Sequence, residues 1–205
     1  MLESPTARRL VCMSEGTGTT PTAGPSGTLG EGADVREGLA FTKWMAVDDA
    51  FALGQLHGRV VTLAGQLLGA GSVVDGSFPS FNSPAFSPAL PNSDAVNIVA
   101  LDGNKFTLVF AAPVRDPVFH FASFASVLSF LNATTVQKLS GDDTFTISGV
   151  TISGVPEGTT DSNGTVRVIG EFRSLVFSAR KNFVGGSNAD GIYLQIGGLA
   201  PTDSA

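Results

Sequence analysis

The chain has 205 residues and is acidic, with 18 Asp and Glu against 12 Lys and Arg for a formal net charge of −6, and 25 of its residues are Gly. That sign excludes sequence-independent nucleic-acid binding, which rests on phosphate neutralisation by clustered Lys and Arg, and it disfavours an anionic membrane surface. Cys12 is the only cysteine, ruling out an intrachain disulfide or a Cys-rich metal site, while a charged fraction of 15% beside so many glycines suits short strands and turns and makes the expected class all-β.

The N-terminus, MLESPTARRLVCMSEG, has only Leu10 to Met13 as an apolar run, too short for the core of a secretory signal. The longest apolar tract, Arg59 to Val74, is broken by Gln66 and several glycines, so no membrane span is expected. Residues 14–34 are almost wholly Gly, Thr, Ser, Pro and small residues, with too little apolar surface to order themselves. The arm, 1–38, is therefore expected to dock onto neighbouring subunits. Cys12 within it has no adjacent His to activate it, and no catalytic role is assigned to it.

Leu39 to Phe51 holds the single Trp, Trp44, and reads as a strand ending at Asp48-Asp49 or as one helical turn. Two short strands are predicted next, Arg59 to Ala64 and Gln66 to Val74, with glycines at 58, 65, 69 and 71 marking bends. Prolines at 79, 84, 88 and 91 forbid helix and central strand over 78–94, which must be an extended loop. Phe78, Phe81 and Phe86 each need burial, so this loop is expected to pack on the domain; an interdomain linker is the alternative.

The stretch from Val96 to Ser123 organises the rest. Phe106, Leu108 and Phe110, then Phe119 and Phe121, follow the two-residue period of a strand with one buried face. Asp102-Gly103-Asn104 predicts a tight hairpin ahead of them, and Pro113 and Pro117 bracket a corner at which the sheet folds over. Further strands are expected at Val127 to Leu131, Thr134 to Leu139, Phe145 to Ile152, Thr165 to Ile169, Leu175 to Arg180 and Gly191 to Ile196. The turns between them fall at Asn132, at 141–143, at 161–164 and at 185–191. Apolar parity flips at Gly149, predicting a bulge or a crossing between sheets. About eight to ten strands at this spacing make a two-sheet antiparallel sandwich, jelly-roll-like, over 39–198, followed by a tail at 199–205. Its core would be Phe106, Leu108, Phe110, Phe119, Phe121, Phe145, Ile147, Val166, Val168, Leu175, Phe177, Ile192, Leu194 and Ile196. Fifteen Phe against one Tyr and one Trp assign the aromatics to core filling.

Signals for chemistry are sparse. No lysine follows a phosphate-binding glycine pattern, and Gly69-Ala70-Gly71-Ser72 lacks a βαβ context. His57 and His120 are the only histidines, with no GxSxG or HExxH. Flanked by Phe119 and Phe121, His120 should face away from the core as a sheet-surface or interface residue. Asp142, Asp143 and Asp161 fall in loops whose oxygens suit Ca²⁺, although ordinary Asx turns are the reading preferred for them. Tyr193 alternates with Ile192 and Leu194, and with Asp190 and Asn188 it makes a candidate glycan-binding surface. The triplets Asn132-Ala133-Thr134 and Asn163-Gly164-Thr165 match the glycosylation acceptor pattern.

Residues 106–121 (FTLVFAAPVRDPVFHF), 138–149 (KLSGDDTFTISG), 162–179 (SNGTVRVIGEFRSLVFSA) and 189–198 (ADGIYLQIGG) resemble a β-sandwich domain of exported bacterial surface proteins that carry PEP-CTERM-type sorting tails. The likeness spans about 77–198 and implies a structural or adhesive role without catalysis. A secretion signal and a sorting tail are not seen in this chain, which fits a virion component. The expectation is a non-catalytic structural protein, a virion decoration or fibre component, homo-oligomeric and displayed on a virion or extracellular surface. A glycan-binding or adhesion module, with or without Ca²⁺, is the alternative, and no other cofactor is implied.

Overall fold

A computed structural model describes residues 38–155, 160–182 and 189–200. These residues form β1 (Leu39–Phe41), β2 (Lys43–Val47), β3 (Phe51–Leu56), β4 (Arg59–Ala64), β5 (Val73–Phe78), β6 (Ser93–Ala100) and β7 (Asn104–Phe124). They continue as β8 (Ser126–Phe130), β9 (Val136–Gly141), β10 (Thr146–Ser148), β11 (Thr151–Ser153), β12 (Ser162–Val168), β13 (Glu171–Lys181) and β14 (Asp190–Leu199). One 3₁₀ turn, Gly69–Gly71, is the only helical piece among the described residues, and the fold is all-β and sandwich-like.

Strand β7 sets the architecture because its two halves belong to different layers. From Thr107 to Phe110 it pairs with β4 on one edge and β13 on the other. From Val118 to Phe121 it pairs instead with β12 and β14. The change falls at the predicted proline corner. There the β13 register slips between Val109 and Val114, and Asp116 takes a left-handed φ of 48°. The Asp116 amide donates to the Gly170 carbonyl at 2.7 Å, and its carboxylate accepts the Gly170 N–H at 3.0 Å, which pins the bend.

One layer therefore reads β2-β3-β4-β7-β13-β8-β11-β10, and the other β9-β12-β7-β14-β6-β5, with β1 also on β14. Rings from the two layers meet in the gap. Phe119 of the second half of β7 lies 5.1 Å from Phe130 and 6.3 Å from Phe177 of the first layer, edge to face. Phe106, Phe119, Phe121, Phe145 and Phe177 are fully buried, each worth roughly 1.5–3 kcal/mol by the area it removes from water. The inward set anticipated from alternation lies in this core, with Ile147 only partly buried at its margin.

A second apolar cluster lies on the other face of the second layer. Residues 79–92 run as a strap between β5 and β6, and Phe81 and Phe86 bury themselves against Phe78, Ala95 and Ala122. The first half of β7 thus alternates buried and exposed, while the second is buried on both faces. Period 2 fades wherever a sheet is covered on both sides.

Several local expectations are corrected. β6 and β7 share no ladder, because the turn at Asp102-Gly103 passes the chain from one layer to the other rather than closing a hairpin. Gly149 produces neither bulge nor crossing: Ser148 pairs with Thr151, and Gly149 at φ 61° makes a tight hairpin between β10 and β11. Gln66 to Val74 is not a strand, since Leu67 forms only an isolated bridge to Ile98 before the 3₁₀ turn. Leu39 to Phe51 becomes two strands and a turn, in which the Asp48 carboxylate accepts the N–H groups of Ala50 and Phe51 at 2.8 and 2.7 Å. Ser162 to Gly164, expected in a turn, is the start of β12.

Replacing Phe119 by Ala should cost about 3–5 kcal/mol, since the ring is enclosed from both layers. Val109→Thr, at a position 42% exposed on the outside of the same strand, should change stability by no more than about 0.5 kcal/mol. Urea midpoints of the two variants check the contrast.

Candidate functional site

The acidic residues singled out in the sequence gather at the end of β7, where they hold loops. The Asp142 carboxylate accepts the backbone and side-chain N–H groups of Asn163 at 2.8 and 3.0 Å. Asn163 in turn receives the Ser123 amide at 3.3 Å, and the Ser123 hydroxyl donates to Asp161. The Asp190 carboxylate accepts the Ala125 N–H at 3.0 Å and the Ser126 hydroxyl. Burial pushes the Asp190 pKa up, opposed by those two hydrogen bonds and reinforced by the charge of Asp161. Asp143 is exposed, and Asn188 lies outside the described residues. Among the described residues no three His, Cys, Asp or Glu side chains are placed to hold a metal ion. These carboxylates accept N–H and O–H groups as Asx turns and loop ties do.

Tyr193 does leave the core face that Ile192 and Leu194 occupy, but it does not offer an open ring. Its side chain is half-buried, packed on the second apolar cluster with Phe78 at 4.6 Å between ring centroids. Strand alternation placed it on the right face; the strap and β5 then covered that face.

His120 is the larger correction. It faces away from the main core, yet it is fully buried, because the strap closes over it. Nε2 lies 2.9 Å from the Pro88 carbonyl, and Nδ1 lies 2.9 Å from Thr165 Oγ1, which also accepts the Ser87 N–H at 3.1 Å. A carbonyl can only accept, so Nε2 carries the proton and the Thr165 hydroxyl donates to Nδ1. Phe41, Phe86 and Phe81 surround the ring at 4.9, 5.4 and 5.6 Å. Desolvation lowers its pKa to about 4, against a smaller upward effect of the Pro88 bond. A neutral imidazole sealed from solvent cannot meet a substrate, so the Thr165–His120 pair is structural. His57, the other histidine, lies in the β3–β4 turn and places Nε2 2.9 Å from the Gly198 carbonyl of β14.

An open groove of about 400 Å³ lies between β1–β2, β5 and β6, lined among others by Phe41, Lys43, Asp75, Asn92, Asp94 and Gln195. Its buried wall is a polar tie that no motif announced. The Asp94 carboxylate accepts the Trp44 and Gly76 N–H groups, both at 2.8 Å. Gln195 donates to the Thr42 carbonyl at 3.1 Å and to Ser93 Oγ at 2.8 Å, while its oxygen accepts the Trp44 indole N–H at 3.1 Å. The available signal was an acid and an amide set inside apolar runs, Asp94 before Ala95-Val96 and Gln195 between Leu194 and Ile196.

The outer face of the first layer has a different character. Outward positions on β3, β4 and the first half of β7 include Phe51, Leu53, Gln55, Val60, Thr62, Ala64, Lys105, Thr107 and Val109, without a carboxylate. Register sets Leu53 beside Thr62 and Thr62 beside Val109. Leu131 at 51%, Val60 at 44%, Val109 at 42% and Phe51 at 40% are among the most exposed large apolar side chains described.

The class these features define is an all-β, sandwich-like protein with a doubly covered second sheet and a first sheet whose outward positions on β3, β4 and the first half of β7 hold no carboxylate. Comparison with protein-family models, with curated proteins and with solved structures gives no match.

Asp190 supplies a pH signature. A raised carboxyl pKa means the folded chain holds that proton more tightly than the unfolded one, so the stabilisation is complete below pH 3.8 and is lost as pH rises through the raised value. Asp190→Asn stays neutral and keeps both acceptor contacts through its amide oxygen. Relative to the wild type it should gain stability between about pH 4 and about pH 7, which urea midpoints at the two pH values will show.

Proposed function

We propose that the chain is a non-catalytic structural subunit of a surface assembly, of the kind that decorates a virion or builds its fibres. The outer face of the first layer carries this reading. Phe51, Val60, Val109 and Leu131, at 40–51% exposure, are the apolar side chains such an association would cover. Its outward positions on β3, β4 and β7 hold no carboxylate, so on a chain of net charge −6 this is the region where a second acidic subunit meets least repulsion. The resemblance of residues 106–121, 138–149, 162–179 and 189–198 to exported β-sandwich domains supports the non-catalytic part of this reading. The proposed docking arm, 1–38, lies almost wholly outside the described residues.

Placing Glu at both Val109 and Leu131 introduces carboxylates on the face without touching the core. Light scattering over a concentration series should show the wild type associating and the double variant monomeric, with its apparent association constant down at least about tenfold. A wild type that stays monomeric throughout, and that is absent from any particle, contradicts the proposal.

A glycan-binding module is the second reading, favoured by the groove in which Phe41, Lys43 and Asp75 present a ring and two charges. It predicts retention on a glycan array that Asp75→Ala abolishes and that a chelator leaves unchanged.

A further inference from the structure

The strap of residues 79–92 is tied to the second layer by few directional contacts, and His120 stands at their centre. Within the strap, the Phe86 N–H donates to the Ser83 carbonyl at 3.0 Å and the Leu90 N–H to the Phe81 carbonyl at 2.9 Å, which give it a local shape. Its polar ties to the sheet below are the Ser87 N–H on Thr165 Oγ1, the Pro88 carbonyl on His120 Nε2 and the Ala85 carbonyl on Ser140 Oγ at 3.0 Å. Two of these three run through the His120–Thr165 pair. The chain of donors, Ser87 N–H to Thr165 O–H to His120 Nδ1 and then His120 Nε2–H to the Pro88 carbonyl, is closed only while the imidazole is neutral.

We propose that His120 is an acid-sensitive latch, and that its protonation releases the strap from the second layer and uncovers the aromatic face beneath it. A proton on Nδ1 converts that nitrogen from acceptor to donor. Thr165 Oγ1 then faces two donors, and its own hydrogen loses its acceptor. The positive charge would sit in a nest of Phe41, Phe81 and Phe86 rings, whose faces offset part of the desolvation cost but supply no counter-ion. The strap has no titratable side chain between Pro79 and Asn92, and β1 has none. From the sheet, β12 brings Arg167 and β14 brings Tyr193, and neither supplies a counter-ion. On β6 the Asp94 carboxylate accepts two backbone N–H groups, and on β9 Lys138 Nζ donates to the carbonyls of Asp142 and Phe145. Desolvation and the Pro88 bond are what move the His120 pKa, and it moves down. The sign follows: the latch contributes in full above pH 6.5, where the unfolded imidazole is also neutral, and is lost as pH falls towards about 4.

Backbone hydrogen exchange on the full chain, corrected for the intrinsic effect of pH, tests the latch. Protection of the Phe86, Ser87 and Leu90 amides should fall at least about tenfold between pH 7 and pH 4 while that of β13 holds. His120→Gln, whose amide can donate to the Pro88 carbonyl but cannot titrate, should keep strap protection equal at both pH values. Strap protection that ignores pH in the wild type, or that falls equally in His120→Gln, overturns the proposal. Should that variant not fold, imidazole ¹⁵N shifts of the wild type decide. The latch requires the Nε2–H form at neutral pH and strap amide shifts that move with the His120 titration; strap shifts that move independently of it overturn the proposal.

Discussion

The fold depends on one bent strand. β7 leaves one sheet and enters the other at Asp116, and every other strand takes its layer from the half of β7 that it pairs with, directly or through a neighbour. Two features hold the bend: a left-handed residue whose own side chain and amide both grip Gly170, and prolines at 113 and 117 that limit the ladder there. Phe119 and Phe121 then face Phe130, Phe124 and Phe145 across or along the gap. Apolar burial on this scale outweighs the polar ties, whose net worth is about 1 kcal/mol each.

Covering decides what each sheet can do. The second layer is closed on its outside by the strap, which turns His120, Thr165 and Ala122 into interior residues and leaves Tyr193 half-buried. Among the described residues the first layer has no such cover, and it presents threonines, valines and small residues with few charges. The carboxylate-free outward positions of the first layer are what the proposed subunit contact rests on, and the sealed face of the second layer is what the proposed latch rests on. The acidic loop residues serve neither purpose, since Asp142, Asp161 and Asp190 spend their oxygens on serine hydroxyls, an asparagine and backbone amides.

Alternation in β7, β13 and β14 was readable because each half-buried strand repeats every two residues, and the same reading found the core phenylalanines. The corner at Pro113 and Pro117 was readable for a covalent reason, the missing N–H. Pairing partners were not. Asp102-Gly103-Asn104 has hairpin chemistry, but whether its flanking strands pair or part depends on β14 taking the place beside β6, a long-range choice. Gly149 misled for the opposite reason: a parity flip looks alike whether a strand bulges or turns back. His120 and Tyr193 were put on the correct face, yet their burial depends on a proline-rich segment with no periodicity of its own. Asp94 and Gln195 carry no motif and become visible only once Trp44 is seen between them.

The claim that the halves of β7 face each other across one core is tested most directly by a double-mutant cycle on Phe119 and Phe130, each changed to Leu. Rings 5.1 Å apart in edge-to-face contact should give a coupling of about 0.5–1.5 kcal/mol. Strictly additive effects would contradict the account, because the two rings would then not meet and the strand would not fold one sheet over the other.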